Sequence, residues 1–189
     1  MERPLAVALT GGIAAGKSEA LRAFARHGAA VISSDDVVHR LYREDESLQH
    51  SLRLRWGERV FRDGEVDRAE IGRIVFSDPG ELAWLESELH PRVRAEVDEW
   101  LAGQAGEVVV AEIPLLFETR GEARFDRVVV VTAPSDVREA RRGSAAEREA
   151  RLVSEEEKVR RADFAYVNDG SLEQLDAFVA GVLEELRRP

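Results

Sequence analysis

Leu5-Ala6-Val7-Ala8-Leu9-Thr10-Gly11-Gly12-Ile13-Ala14-Ala15-Gly16-Lys17-Ser18 is the stretch that decides the fold. Its first five residues are an uninterrupted apolar run, the pattern of a strand buried on both faces. Gly11, Gly16, Lys17 and Ser18 then complete the spacing G-x-x-x-x-G-K-[ST]. Glycines in such a loop let consecutive backbone N–H groups turn inward as a nest for phosphate oxygens. The helix that opens near Gly16 adds the partial positive charge of its N-terminus. Lys17 is then placed to reach the β- and γ-phosphates, and the Ser18 hydroxyl to ligate Mg2+. The plainer reading is a glycine-rich turn between strand and helix. A chance match in a chain of ordinary composition is about a one-per-cent event, and the strand before and helix after are both present. Gly11, Gly12, Ile13, Ala14, Ala15, Gly16, Lys17 and Ser18 are therefore read as a phosphate loop for a nucleoside triphosphate, ATP or GTP, with Mg2+ as its expected companion.

Outward from the loop, Leu21, Phe24 and Ala25 recur at helical spacing until Gly28 supplies a stop, and Ala30-Val31-Ile32 reads as a second buried strand. From Asp35 to about Gly106 the periodicity is mostly helical. Asp67 with Glu70 has the form of a capping box, and Asp78-Pro79 with Glu81 marks another start. His90-Pro91 is read as ending that helix and opening the next, on which Val93, Val97, Trp100 and Leu101 share a face. Strand patterns return at Val108-Val109-Val110-Ala111, at Val128-Val129-Val130-Val131 and, more weakly, at Phe164-Ala165-Tyr166-Val167. Ser171 and Gln174 then cap a helix whose stripe runs Leu172, Leu175, Phe178, Val179, Val182, Leu183 and Leu186. Strands alternating with helices predict an α/β fold with a parallel sheet flanked by helices.

A length of 189 residues fits one domain with a modest insertion, and 44% hydrophobic residues suffice for a real core. A formal net charge of −10 disfavours nucleic acid or an anionic membrane as partner. The absence of cysteine excludes disulfides, thiolate metal sites and cysteine nucleophiles. No apolar run approaches a membrane span, and Met1-Glu2-Arg3-Pro4 has no signal-peptide layout, so the cytoplasm is the expected location; a monomer is a separate expectation.

Asp35 and Asp36 follow the second strand, at the edge of a parallel sheet where ligands bind. A carboxylate there can take the proton of an acceptor hydroxyl or join the Mg2+ water shell, or Ser34 and Asp35 can simply cap a helix. Glu112 ends the third strand and is open to the same two readings. Arg138, Arg141, Arg142, Arg148 and Arg151 follow the Val128 strand, either as a lid delivering positive charge to the moving phosphate or as a solvated helix face. His90 and Arg94 read as junction residues, and Trp56, Trp84 and Trp100 as core.

Taken together these segments resemble the dephospho-coenzyme A kinases over nearly the whole chain. The segments that carry it are Val31-Ile32-Ser33-Ser34-Asp35, Leu89-His90-Pro91, Glu112-Ile113-Pro114-Leu115-Leu116-Phe117-Glu118, Arg124-Phe125-Asp126, Ala162-Asp163-Phe164 and Asn168-Asp169-Gly170-Ser171, of which Leu-His-Pro and Pro-Leu-Leu-Phe-Glu are the narrow ones. The resemblance implies a P-loop kinase-like, five-stranded parallel sheet within a single domain over residues 1–189. It implies a helical acceptor-binding insertion over about 36–106 and a short lid over about 138–158. It implies transfer of the ATP γ-phosphate to the ribose 3′-hydroxyl of dephospho-coenzyme A, with Asp35 as general base, Lys17 and Arg141 stabilising the phosphate, and Mg2+ held through Ser18. Asn168 falls where the family approaches the adenine of ATP. Three features depart from the family pattern: Glu19 in place of threonine, Ser33-Ser34-Asp35 with one carboxylate fewer, and a shortened lid. Two alternatives stay open, a kinase for another small acceptor and a catalytically impaired nucleotide-binding protein. A GTPase is disfavoured because no Asn-Lys-x-Asp motif appears.

Overall fold

The computed structural model describes residues 3–142 and 152–188. It divides into two compact units, Met1–Ser33 with Leu101–Pro189, and Ser34–Trp100.

The first unit is built on a five-stranded sheet: β1 (Leu5–Gly11), β2 (Ala30–Ser33), β5 (Val108–Glu112), β6 (Arg127–Thr132) and β7 (Phe164–Val167), in the order β2-β5-β1-β6-β7. Every pairing is parallel. β1 is the central strand, and from Ala6 onward all of it is buried, as its unbroken apolar run requires. Strand alternation sends Val7 and Leu9 to one face, where they meet Val129 and Val131 of β6 together with α1 (Lys17–Arg26) and α8 (Leu172–Leu186). Ala8, Val128 and Val130 face the other way, against Leu116, Phe117, Phe125, Val153 and Ala162.

The helix ends follow local chemistry. Gly28, at φ +88°, closes α1 with its N–H on Ala25 O, while Ala29 N–H reaches Phe24 O. Ser171 and Gln174 form the reciprocal capping box of α8. The buried stripe of α8 starts at Leu175, and Leu172 is left 61% exposed because it precedes the first turn that meets the sheet. β2 also differs from expectation. Its four residues are only half-buried, since it lies at the sheet edge with β5 on one side.

Two signature aspartates hold strand starts at the sheet edge opposite the phosphate loop. Asp126 accepts from Ala6 N (2.8 Å) and from both Arg3 guanidinium nitrogens (2.7 Å each). Asp163 accepts from Val128 N at 2.8 Å. On the outer side, Glu19 is engaged by Arg22 (2.6 Å) and Arg26 (3.2 Å) of its own helix. Arg26 and His27 also reach Asp176 of α8, at 2.7 and 2.9 Å. Glu19, one of the departures from the family pattern, thus ties the surface of α1.

The second unit holds α2 (Ser34–Glu44), α3 (Glu46–Trp56), α4 (Arg68–Ser77) and most of α5 (Pro79–Gly103). Its core includes Leu41, Leu48, Leu52, Trp56, Ile71, Leu85 and Val97. Burial pushes the Tyr42 hydroxyl up to about 12. Trp56 meets Trp84 edge-on at 4.8 Å and donates to Glu81 at 2.7 Å, while Trp100 is half-buried. Asp67 caps α4 through Ala69 N and Glu70 N, but the Glu70 carboxylate pairs forward with Arg73 instead of completing a capping box. Two expectations change here. His90-Pro91 does not divide a helix, because α5 runs through Pro91 without interruption. Proline removes one N–H from the ladder, which α5 tolerates in its interior, and one residue on the Arg92 guanidinium donates to Glu88 O at 2.7 Å. Between α3 and α4 there is also a small antiparallel hairpin, β3 (Phe61–Arg62) with β4 (Glu65–Val66). Asp63 and Gly64 both have positive φ, as a two-residue hairpin turn demands.

Two outcomes test this architecture. Phe24 is wholly buried under the sheet, so Phe24→Ala should cost about 3–5 kcal/mol in urea denaturation. Hydrogen bonds from Arg3 hold the Asp126 carboxyl below its ordinary value of 3.8, against the opposing effect of burial. Its contribution is therefore complete above that pH and fades as pH falls through the lower folded value. Asp126→Asn should lower stability at neutral pH and flatten the loss of stability below about pH 4, measured by denaturation across pH.

Candidate functional site

The C-terminal edge of the sheet carries the phosphate loop, where the chain leaves β1 and enters α1. Gly11 has φ +146°, and a Cβ there would lie 1.8 Å from the backbone oxygen of Val131. No side chain fits at that crossing. Ala14 (φ +59°) and Gly16 (φ +103°) also take positive φ, the backbone hand that, set between right-handed residues, lets successive N–H groups turn to one side as an anion nest. A left-handed alanine costs about 1 kcal/mol, strain of the kind found at functional sites. Gly16 N-caps α1 without a side-chain hydrogen bond, so no capping oxygen competes at the positive end of the helix. Lys17 Nζ folds back over the loop, donating to Gly12 O at 2.7 Å and Gly11 O at 3.3 Å.

The loop is supported from distant parts of the chain. Asn168, just past β7 and 4% exposed, donates its side-chain amide to Ala15 O at 2.8 Å. A Cβ on Gly12 would lie 1.7 Å from Glu155 Oε1, so any side chain there would have to displace the carboxylate packed against it. Glu155 opens α7 (Glu155–Arg160) and lies 3.7 Å from Arg138 of α6 (Ser135–Arg142). Arg138 is no solvated helix arginine: its side chain is 14% exposed and donates to Ala133 O at 3.0 Å. Lys158, 1% exposed, pairs with Glu118 at 2.9 Å, and Glu118 also accepts from Val153 N at 3.1 Å. Arg161 stacks over Phe117 at 4.4 Å and pairs with Glu122. The segment after β5 and the helix α7 are thereby fastened together. Neither Glu155 nor this pairing was read from the sequence, where the only signal is that Glu118 falls in a segment that resembles a family.

The remaining predicted residues are placed as follows. Glu112 ends β5, level with Ser33 of β2 and Leu9 of β1, and is buried rather than a solvated strand end. Thr10 Oγ1 donates to Pro114 O at 3.3 Å, fastening the segment after Glu112 to β1. Ser18 is exposed in the first turn of α1. Asp35 and Asp36 are exposed in the first turn of α2, which starts at Ser34 directly after β2, so Asp35 lies inside the helix and is not its cap. His90 is half-buried and Arg94 exposed, both within α5. Arg141 is placed by its backbone in α6, but its side chain and that of Arg142 fall outside the described residues, as do Arg148 and Arg151. The expected lid over 138–158 is thus described only at its two ends.

A parallel sheet of this order, with the loop after its central strand, defines a nucleotide-binding protein of the P-loop kinase type. The comparisons with known proteins narrow it. The dephospho-CoA kinase family model matches residues 5–174. A dephospho-CoA kinase of Mesorhizobium japonicum is 42% identical, covering 97% of each chain. A solved structure from Thermus thermophilus superposes with a TM-score of 0.81 at 36% identity, over 99% of this chain and 100% of that one. Dephospho-CoA kinase from Campylobacter jejuni gives 0.68 at 26% identity, over 96% of each chain. The chain belongs to the dephospho-CoA kinase family.

The two loop glycines predict different outcomes. Gly11→Ala meets rigid backbone at a positive φ and should destabilise by at least about 2 kcal/mol. Gly12→Ala displaces only the flexible end of Glu155 and should stay within about 1 kcal/mol of the parent. Chemical denaturation of the two variants side by side checks the order.

Proposed function

We propose that this chain transfers the γ-phosphate of ATP to the ribose 3′-hydroxyl of dephospho-CoA, giving CoA and ADP. The observation that carries the proposal is a complete phosphate loop at the C-terminal edge of a parallel sheet, with Lys17 folded over it, in a chain of this family. The loop amides and the N-terminus of α1 hold the phosphates. Lys17 exchanges the Gly11 and Gly12 carbonyls for the β- and γ-phosphate oxygens. Asp35 takes the proton of the 3′-hydroxyl as that oxygen bonds to the γ-phosphorus and the bond to the β–γ bridging oxygen breaks. Arg141, on the helix after β6, adds positive charge to the phosphate in transit. The helical region after β2 binds the acceptor, and the 138–158 segment covers the donor.

The donor set suits Mg2+. Ser18 offers a hard hydroxyl oxygen beside Lys17, and among the described residues no cluster of three or more His, Asp or Glu side chains is poised for a metal. That is the pattern of an ion bound chiefly by nucleotide phosphates and water, where it neutralises phosphate charge. No helix among the described residues is long and apolar enough to cross a membrane. The reading places the reaction in the cytoplasm with a small-molecule acceptor, and the net charge of −10 fits a partner other than nucleic acid.

The test is ADP release with dephospho-CoA beside a panel of nucleosides, nucleotides and sugars. Turnover should be confined to dephospho-CoA, and clear preference for another acceptor would sink the assignment. Asp35→Asn should lower kcat by about 10²–10⁴-fold with ATP affinity retained. Near-parental turnover of that variant would remove Asp35 from the general-base role.

A further inference from the structure

Asn168 is a buried amide outside the loop motif, and its contact is with the loop backbone. Its own N–H donates to Thr132 O at 2.7 Å, which fixes the residue at the ends of β6 and β7. From there Nδ2 donates to Ala15 O at 2.8 Å, and Ala15 is fully buried. A trans peptide holds its C=O and N–H in opposite directions. Pulling the Ala15 carbonyl toward Asn168 therefore turns the Gly16 N–H to the other side of that peptide plane. Gly16 at φ +103° is free to accept either orientation, so the loop's own sequence does not choose between them.

We propose that Asn168 acts on ATP through the phosphate loop, as a positioning residue whose amide anchors the Ala15 carbonyl and so aims the Gly16 N–H at the bound phosphates. The proposal rests on the reading of this loop as the ATP phosphate site. It assigns Asn168 an effect on every ligand that carries the polyphosphate, whatever base is attached.

Titration calorimetry of the full chain with ATP, and separately with inorganic tripolyphosphate, tests it in Asn168→Ala and in the similar-sized Asn168→Leu. Both variants should lose affinity for the two ligands alike, by about tenfold, the worth of one hydrogen bond, with KM for dephospho-CoA unchanged. Loss for ATP with tripolyphosphate binding intact would mean a direct base contact and overturn the proposal. Parental affinity for both ligands would reduce Asn168 to packing and overturn it equally. Parent protein that bound neither ligand would instead overturn the phosphate-loop reading beneath it. Should neither variant fold, the side-chain amide resonance of Asn168 in the parent protein decides. It should shift equally with ATP and with tripolyphosphate, and a shift with ATP alone refutes the proposal.

Discussion

β1 carries the chain across the backbone of β6 so closely that Gly11 has no room for a Cβ beside the Val131 carbonyl. That crossing is the constraint on which the rest depends. It sets where the loop begins relative to the sheet edge, and hence where the loop amides and the N-terminus of α1 come together. The crossing is stable only because β1 is paired on both sides, with β5 and β6, and buried on both faces. At the far end of the sheet, Asp126 and Asp163 accept the N–H groups of Ala6 and Val128. The strand starts are fixed there and the reactive edge here.

The loop itself stores strain, with Ala14 left-handed between glycines, and is braced from outside. Asn168 holds Ala15 O, Glu155 packs on Gly12, and the Glu118–Lys158 pair fastens α7 to the segment that follows β5. A buried ion pair of this kind adds little net stability, because desolvation offsets most of the attraction. Losing one partner leaves a buried charge, so the pair serves to specify where α7 lies. Several family signatures find their physical meaning in these braces. The glutamate of Pro-Leu-Leu-Phe-Glu pairs with Lys158, and the aspartate of Ala-Asp-Phe accepts from Val128 N near the start of β6.

Much of this could be seen in the residues alone. The apolar run at Leu5, the valine runs at Val108 and Val128, the Ser171–Gln174 cap and the stop at Gly28 are local signals, and local signals survive into the fold. His90-Pro91 misled because proline biases a helix toward ending without requiring it, and α5 carries Pro91 in its interior. The half-burial of β2 could not be seen, since Ala30-Val31-Ile32 is apolar in the same way as a central strand and only the strand order makes it an edge. The Asp63-Gly64 turn carried its signal, but two-residue strands are too short to show a period of their own.

By itself, the sequence determined the phosphate loop, the alternation of strands and helices, and through its ordered signatures the family. Each of these depends on residues within a few positions of one another, where spacing alone dictates geometry. Only the tertiary structure decided what holds the loop in shape. Asn168 and Ala15 stand 153 residues apart, and Glu155 meets Gly12 across nearly the same distance in sequence. Contacts of that range follow from how the parallel sheet is ordered and from which strand ends it brings level. No local pattern encodes that order, because hydrophobic runs of equal quality can occupy the center or the edge.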